Sequence, residues 1–127
     1  MPFSESMGPI AIIEDDAPMR ALMMEWLTSE GYDVVRAADE RHADVELVIV
    51  DVFMPRHLGA ALLHRVRDTY PGVPIIAVSA QFRSGVRCQG PAARELGVER
   101  IVAKPFDREV LLGAVRSVIG PPIVAAR

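Results

Sequence analysis

The sequence predicts an α/β protein with a doubly wound, five-stranded parallel sheet that has helices on both faces. Apolar runs without polar alternation occur at residues 10–13, 47–50 and 73–78, as expected of strands that are covered on both sides. Segments with helical spacing of apolar residues separate most of these runs, and an alternating order of strands and helices is typical of parallel sheets.

Composition sets limits on what the chain can do. It has 127 residues, which suits a single domain, and a net charge of −3 without any cluster of Lys and Arg. Direct nucleic-acid binding is therefore not expected. Cys88 is the only cysteine, so an internal disulfide is impossible, and no Cys/His spacing suggests zinc. The sequence shows neither a signal pattern nor a membrane-spanning stretch, and we expect a cytoplasmic protein with no membrane partner.

The first strand ends in acids and is followed by a helix. Asp16 is a suitable N-cap, Pro18 fits the first turn, and Gly31 is a suitable left-handed end. Helical spacing predicts one buried stripe, made of Met19, Leu22, Met23, Trp26 and Leu27.

The link between the second and third strands is unusually short. A strand is predicted at residues 32–37, and only residues 39–44 separate it from the next strand region. Parallel neighbours usually need a crossover of a dozen or more residues. We therefore expect a truncated or missing second helix, and an apolar patch that a partner or a second copy could cover.

The rest of the chain continues the same order. We expect a flexible tail at residues 1–8, one domain at 9–120 and a C-terminal tail at 121–127. The remaining predicted elements are a helix at 59–70, a strand at 73–78, a short helix at 91–96, a strand at 101–103 and a last helix capped by Asp107.

Polar residues follow four of the predicted strands: Glu14 with Asp15, then Asp51, Ser79 and Lys104. The carboxyl ends of parallel strands share one edge, where open α/β sheets place their chemistry. Several carboxylates at one edge repel unless a cation joins them, and Mg²⁺ accepts one or two carboxylates together with waters and phosphate oxygens. Asp51, at the centre of the sheet, is the candidate nucleophile for a phosphoryl group.

In this order, these residues resemble the receiver domain of bacterial two-component response regulators. The likeness covers roughly residues 8–120. It rests on the acidic pair, on Asp51 with Met54-Pro55 and Gly59 behind it, on Ser79-Ala80, and on Lys104-Pro105-Phe106.

The resemblance implies a flavodoxin-like receiver fold and a phosphoacceptor role for Asp51. The donor would be a histidine kinase or a histidine phosphotransfer protein, and Ser79 and Lys104 would bind the phosphoryl oxygens. It implies a cis peptide bond between Lys104 and Pro105. It also implies a Mg²⁺ site made of Glu14, Asp15, Asp51 and the backbone carbonyl of Phe53.

Three features depart from the family pattern and leave alternatives open. The link between the second and third strands is too short for the usual helix, the segment from Ser79 to Lys104 is longer than usual, and Ile101 stands where many receivers have a switching aromatic residue. The short link and Ile101 favour the alternative, a pseudo-receiver that is regulated without phosphate. An aspartate-nucleophile phosphatase would need an acid at Phe53, and a flavodoxin-type cofactor site would need hydroxyls and glycines where Glu14 begins an acidic run.

The expected role is a stand-alone signalling receiver, in a phosphorelay or a simpler two-component system. Such a chain is not an enzyme beyond self-phosphorylation and self-dephosphorylation. Its output would be contact with a downstream protein that the sequence does not identify, and the sequence leaves a homodimer open.

Overall fold

The described residues form a five-stranded parallel sheet, as the sequence predicts, and its strand order is β2-β1-β3-β4-β5. A computed structural model describes residues 9–36, 44–52, 56–79 and 97–122, with only the backbone for 56–60. The strands are β1 Ile10–Ile13, β2 Val34–Arg36, β3 Leu47–Asp51, β4 Ile75–Ser79 and β5 Arg100–Ala103. The described helices are α1 Ala17–Glu30, α2 Arg56–Thr69 and α3 Arg108–Ile119.

Strand register brings the carboxyl ends of the central strands level. Ile13 pairs with Val50, so the next residue of each strand, Glu14 and Asp51, lies at the same height. On the other side of β3, Asp51 pairs with Val78 of β4. The polar residues that follow these strands therefore share one edge of the sheet.

Two hydrophobic layers enclose the sheet, one on each face. Along β3, Leu47 and Ile49 point into the layer that contains α1 and α3, whereas Val48 and Val50 point into the layer beneath α2. All four side chains are fully buried. Successive strand residues face opposite sides, so a strand covered on both faces needs apolar residues at every position. This explains the lack of alternation in the sequence.

Helix α1 is closed at both ends by the residues that the sequence indicates. Asp16 Oδ2 accepts a hydrogen bond of 3.0 Å from the Met19 backbone N–H, which caps the N-terminus. Gly31 ends the helix in the left-handed region, with φ of 113°. Met23 and Leu27 are buried, but Leu22 of the predicted stripe is 40% exposed. Leu22 precedes Met23 by about 100° of helix rotation, which turns it away from the sheet.

The link from β2 to β3 agrees with the predicted truncated or missing second helix. Within the described part of the chain, no helix lies between these strands, and residues 44–46 are a turn and irregular backbone. Residues 37–43 of the link lie outside the described residues, as does the short helix predicted at 91–96. Helix α2 begins at Arg56, three residues before the predicted start.

Over the residues that the structure covers, no helix has the length and apolar content needed to cross a membrane.

Candidate functional site

The carboxyl edge of the sheet gathers three of the predicted side chains into one cluster. Glu14 follows β1, Asp51 ends β3, and Lys104 follows β5. The Lys104 ammonium lies 3.3 Å from Glu14 Oε1 and 3.4 Å from Asp51 Oδ2. One cation thus contacts carboxylates from two other strands, across the width of the central sheet.

Glu14 is the most deeply buried member of this cluster, with a side chain that is 2% exposed. Its Oε2 accepts a hydrogen bond of 3.2 Å from the Asp16 backbone N–H. Its Oε1 is buried and accepts no hydrogen bond of good geometry from the described residues, although the Lys104 ammonium lies at ion-pair distance. A carboxylate oxygen in this condition can accept a further donor or a cation.

Burial raises the pKa of Glu14, because removal from water disfavours the charged carboxylate. The negative charge of Asp51 acts in the same direction, whereas the Asp16 backbone hydrogen bond and the Lys104 ammonium oppose it. The net shift is upward. Keeping Glu14 ionised therefore costs free energy. A further positive charge nearby would lower that cost, so the site favours binding of a cation.

Lys104 is held in its charged form. Burial by itself would lower the pKa of the ammonium, but the carboxylates of Asp51 and Glu14 outweigh that effect, and the pKa of Lys104 is raised. Because the unperturbed value already lies near 10.5, Lys104 carries a full positive charge at neutral pH.

Ser79 ends β4 and is 1% exposed. Its backbone carbonyl accepts a hydrogen bond of 3.1 Å from the Lys104 backbone N–H, which fixes the start of the loop after β5 beside β4. The peptide bond between Lys104 and Pro105 is cis, as the resemblance implied. Asp15 follows Glu14 and is exposed to solvent. Phe53, predicted to offer its backbone carbonyl, lies outside the described residues.

Arg20 supports the acidic segment, and the sequence reasoning missed it. Its Nη1 donates a hydrogen bond of 2.7 Å to the Glu14 backbone carbonyl, from one turn into α1. This contact ties the end of β1 to the first turn of the helix. A signal for it exists in the sequence, since an arginine one turn after a run of acids can reach back to that run.

A magnesium ion suits the donors at this edge, although they do not enclose one. Among residues that the structure describes, no group of three or more His, Cys, Asp or Glu side chains is arranged as a metal cage. Mg²⁺ needs only one or two carboxylates, since it retains several waters. Glu14, with its unsatisfied Oε1, and Asp51, with a side chain that is 22% exposed, supply that number.

Comparison with known proteins identifies the family. The model of the response regulator receiver domain family matches residues 10–116. The chain belongs to this family. Receiver domains are signalling modules of two-component systems rather than conventional enzymes, and the fold described above is their CheY-like, flavodoxin-like fold.

Known receivers are similar over nearly the whole chain. The transcriptional regulatory protein CpxR of Klebsiella pneumoniae is 30% identical over 119 residues, which cover 89% of this chain and 50% of that protein. The chain thus spans about half the length of the curated relatives it matches. The solution structure of a response regulator protein from Burkholderia multivorans is 32% identical, with a TM-score of 0.59, and covers 92% of this chain and 98% of its own.

A more distant structure supports the fold alone. The CheX–CheY–BeF3–Mg²⁺ complex from Borrelia burgdorferi superposes with a TM-score of 0.70 at 20% identity, and covers 88% of this receiver and 89% of its own chain.

Proposed function

We propose that this receiver is phosphorylated on Asp51 by a histidine kinase or a histidine phosphotransfer protein, and that the phosphorylated form acts by contact with another protein. The observation that carries the proposal is the Lys104 ammonium, which lies within 3.4 Å of carboxylates from both Glu14 and Asp51. A cation held in this way can neutralise the charge that an incoming phosphoryl group brings to an acidic edge.

In the proposed transfer, a carboxylate oxygen of Asp51 attacks the phosphorus of a phosphohistidine. An O–P bond forms and the P–N bond breaks, and the imidazole nitrogen leaves with the bonding pair and takes a proton from water. The products are an acyl phosphate on Asp51 and a free histidine. Later attack by water on phosphorus would release inorganic phosphate and restore the carboxylate, which is the expected self-dephosphorylation.

Each remaining side chain has a proposed role at this edge. Lys104 binds a phosphoryl oxygen by charge, and the Ser79 hydroxyl donates a hydrogen bond to another. Mg²⁺, when bound, supplies the positive charge that neutralises the carboxylates and the phosphoryl oxygens. Its proposed ligands are Glu14, Asp15, Asp51 and the backbone carbonyl of Phe53. The Borrelia burgdorferi complex contains beryllofluoride and magnesium, and we propose by analogy that this receiver also binds Mg²⁺.

Phosphorylation of the isolated receiver tests the proposal. We expect incubation with acetyl phosphate and Mg²⁺ to add one phosphoryl group, detected by intact mass, and chelation of Mg²⁺ to prevent it. The Asp51→Asn variant should gain none. A matched Asp33→Asn variant, which removes an exposed acid beside β2, should behave as the wild type.

Two outcomes would count against the proposal. Wild-type protein that gains no phosphoryl group would favour the pseudo-receiver alternative, in which the fold binds a partner without phosphate. Equal addition to wild type and to Asp51→Asn would assign the acceptor to another residue.

A further inference from the structure

A cavity of about 350 Å³ lies between the carboxyl ends of β1 and β2 and one side of α2. It lies on the face of the sheet that packs against α2. Its volume falls at the lower end of the range for small-molecule pockets, which is roughly 300–1,000 Å³.

The cavity has an apolar floor. Ile13 of β1 and Leu62 of α2 line it and are half-buried. Val66 of α2 and Tyr70, directly after the helix, are almost fully buried beneath them. Leu62, Val66 and Tyr70 follow one another at four-residue spacing, so they form one continuous apolar stripe along α2 and its end. A flat or branched hydrocarbon body could pack against this stripe.

Among the described residues on the rim of the cavity, arginines outnumber acids. Arg20, Arg36 and Arg65 all line it. Arg20 is engaged with the Glu14 carbonyl. The guanidinium groups of Arg36 and Arg65 make no ion pair or hydrogen bond to any described residue, and both side chains are exposed. The described acids that line it are Glu14 and Asp15, and Glu14 is already paired with Lys104.

We propose that this cavity binds a small amphipathic anion, with an aromatic or branched apolar body and one carboxylate, phosphate or sulfonate group. The body would pack on the stripe of α2, and the anionic group would meet the guanidinium groups of Arg36 and Arg65, which favour oxyanions. The space suits a bicyclic molecule better than a helix of another protein. The proposal does not depend on phosphorylation of Asp51.

A pair of related dyes tests the two parts of this proposal. The probe 8-anilinonaphthalene-1-sulfonate carries an anionic group, whereas N-phenyl-1-naphthylamine has nearly the same aromatic body and no charge. Each is titrated into the unphosphorylated full chain and followed by its fluorescence. We expect the sulfonate to bind at least about tenfold more tightly than the neutral dye, since one charge-assisted contact is worth about that factor.

Variants then locate the binding. Arg36→Gln and Arg65→Gln should each weaken sulfonate binding about tenfold and leave the neutral dye almost unchanged. Arg100→Gln, which removes an exposed arginine at the opposite end and edge of the sheet, is the matched control and should change neither. Thr69→Trp, which fills the cavity from α2, should abolish binding of both dyes. Circular dichroism confirms that each variant is folded.

Backbone amide NMR gives a second, independent readout. Addition of the sulfonate to wild type should shift the amides of residues 12–15, 36 and 62–70 and leave those of α3 unchanged.

Three results would overturn the proposal. The first is equal binding of the two dyes, and the second is no loss of sulfonate binding in either arginine variant. The third is a wild-type protein that is dimeric and a Leu62→Glu variant that is monomeric, because a second copy of the chain would then occupy the cavity.

Discussion

Replacement of Lys104 by methionine removes the ammonium from the acidic edge and keeps an unbranched side chain of similar length. The ammonium lies 3.3 Å from Glu14 Oε1 and 3.4 Å from Asp51 Oδ2. At an effective dielectric constant of about 20, each pair corresponds to about 5 kcal/mol of gross attraction. Desolvation of the charges offsets most of that energy. The net change in the free energy of unfolding is therefore better estimated from substitutions in other buried ion pairs.

Removal of one member of a buried ion pair typically costs about 3–5 kcal/mol. The side chains of Lys104 and Asp51 retain 23% and 22% exposure, so water screens part of the interaction. We therefore expect Lys104→Met to lower the free energy of unfolding by about 2–3 kcal/mol at pH 7. Most of this loss should come from Glu14, whose 2% exposed carboxylate would keep its charge without a counter-ion.

The loss of unfolding free energy in Lys104→Met should depend on pH in a defined direction. Without the ammonium, less opposes the effects of burial and of the Asp51 charge, so the pKa of Glu14 would rise further. Protonation of Glu14 would then remove the unpaired buried charge from the variant. The difference between wild type and variant should therefore shrink as the pH falls through that pKa. The raised pKa of Lys104 means that its stabilising contribution is complete below its unfolded value of 10.5, and is lost as the pH rises through the folded value.

Urea denaturation in the presence of EDTA, followed by fluorescence, provides the assay. Trp26 is the only tryptophan and packs edge-on against Phe106, with ring centroids 6.3 Å apart, so its signal reports on the loop after β5. Lys104→Arg, which keeps the charge, is the control and should lose less than half as much stability. Equal stability of wild type and Lys104→Met at pH 7, or a difference that does not change with pH, would refute the electrostatic reasoning.

Two further substitutions test contacts away from the acidic edge. Tyr32→Phe removes a hydroxyl that donates a hydrogen bond of 2.8 Å to the Gly120 carbonyl, and should lower the free energy of unfolding by about 1 kcal/mol; an unchanged urea midpoint would contradict this. Gly97→Ala should cost about 1–2 kcal/mol, because Gly97 has a φ of 76° and a Cβ there would lie 2.5 Å from the Arg67 guanidinium. The same change at Gly113, inside α3 with open space around it, should stabilise the protein by up to about 1 kcal/mol. Equal effects of the two glycine variants in thermal unfolding would show that backbone conformation does not decide the outcome.

The fold class and the residues that follow each strand can be predicted from the sequence alone. Unalternating runs such as residues 47–50 require a strand that is covered on both faces, and the two hydrophobic layers on either side of β3 meet that requirement. Asp16 and Gly31 mark the ends of α1 through local chemistry, which needs no tertiary contact to be recognised.

Contacts that depend on strand order and register could not be predicted in this way and required the folded structure. That Lys104 contacts both Glu14 and Asp51 follows from β1, β3, β4 and β5 lying side by side with level ends, and no local pattern encodes those distances. The cavity beside α2 likewise depends on tertiary structure, because the arginines that line it come from α1, β2 and α2. Local spacing fixes which residues enter a strand or a helix, whereas long-range packing fixes which of them meet.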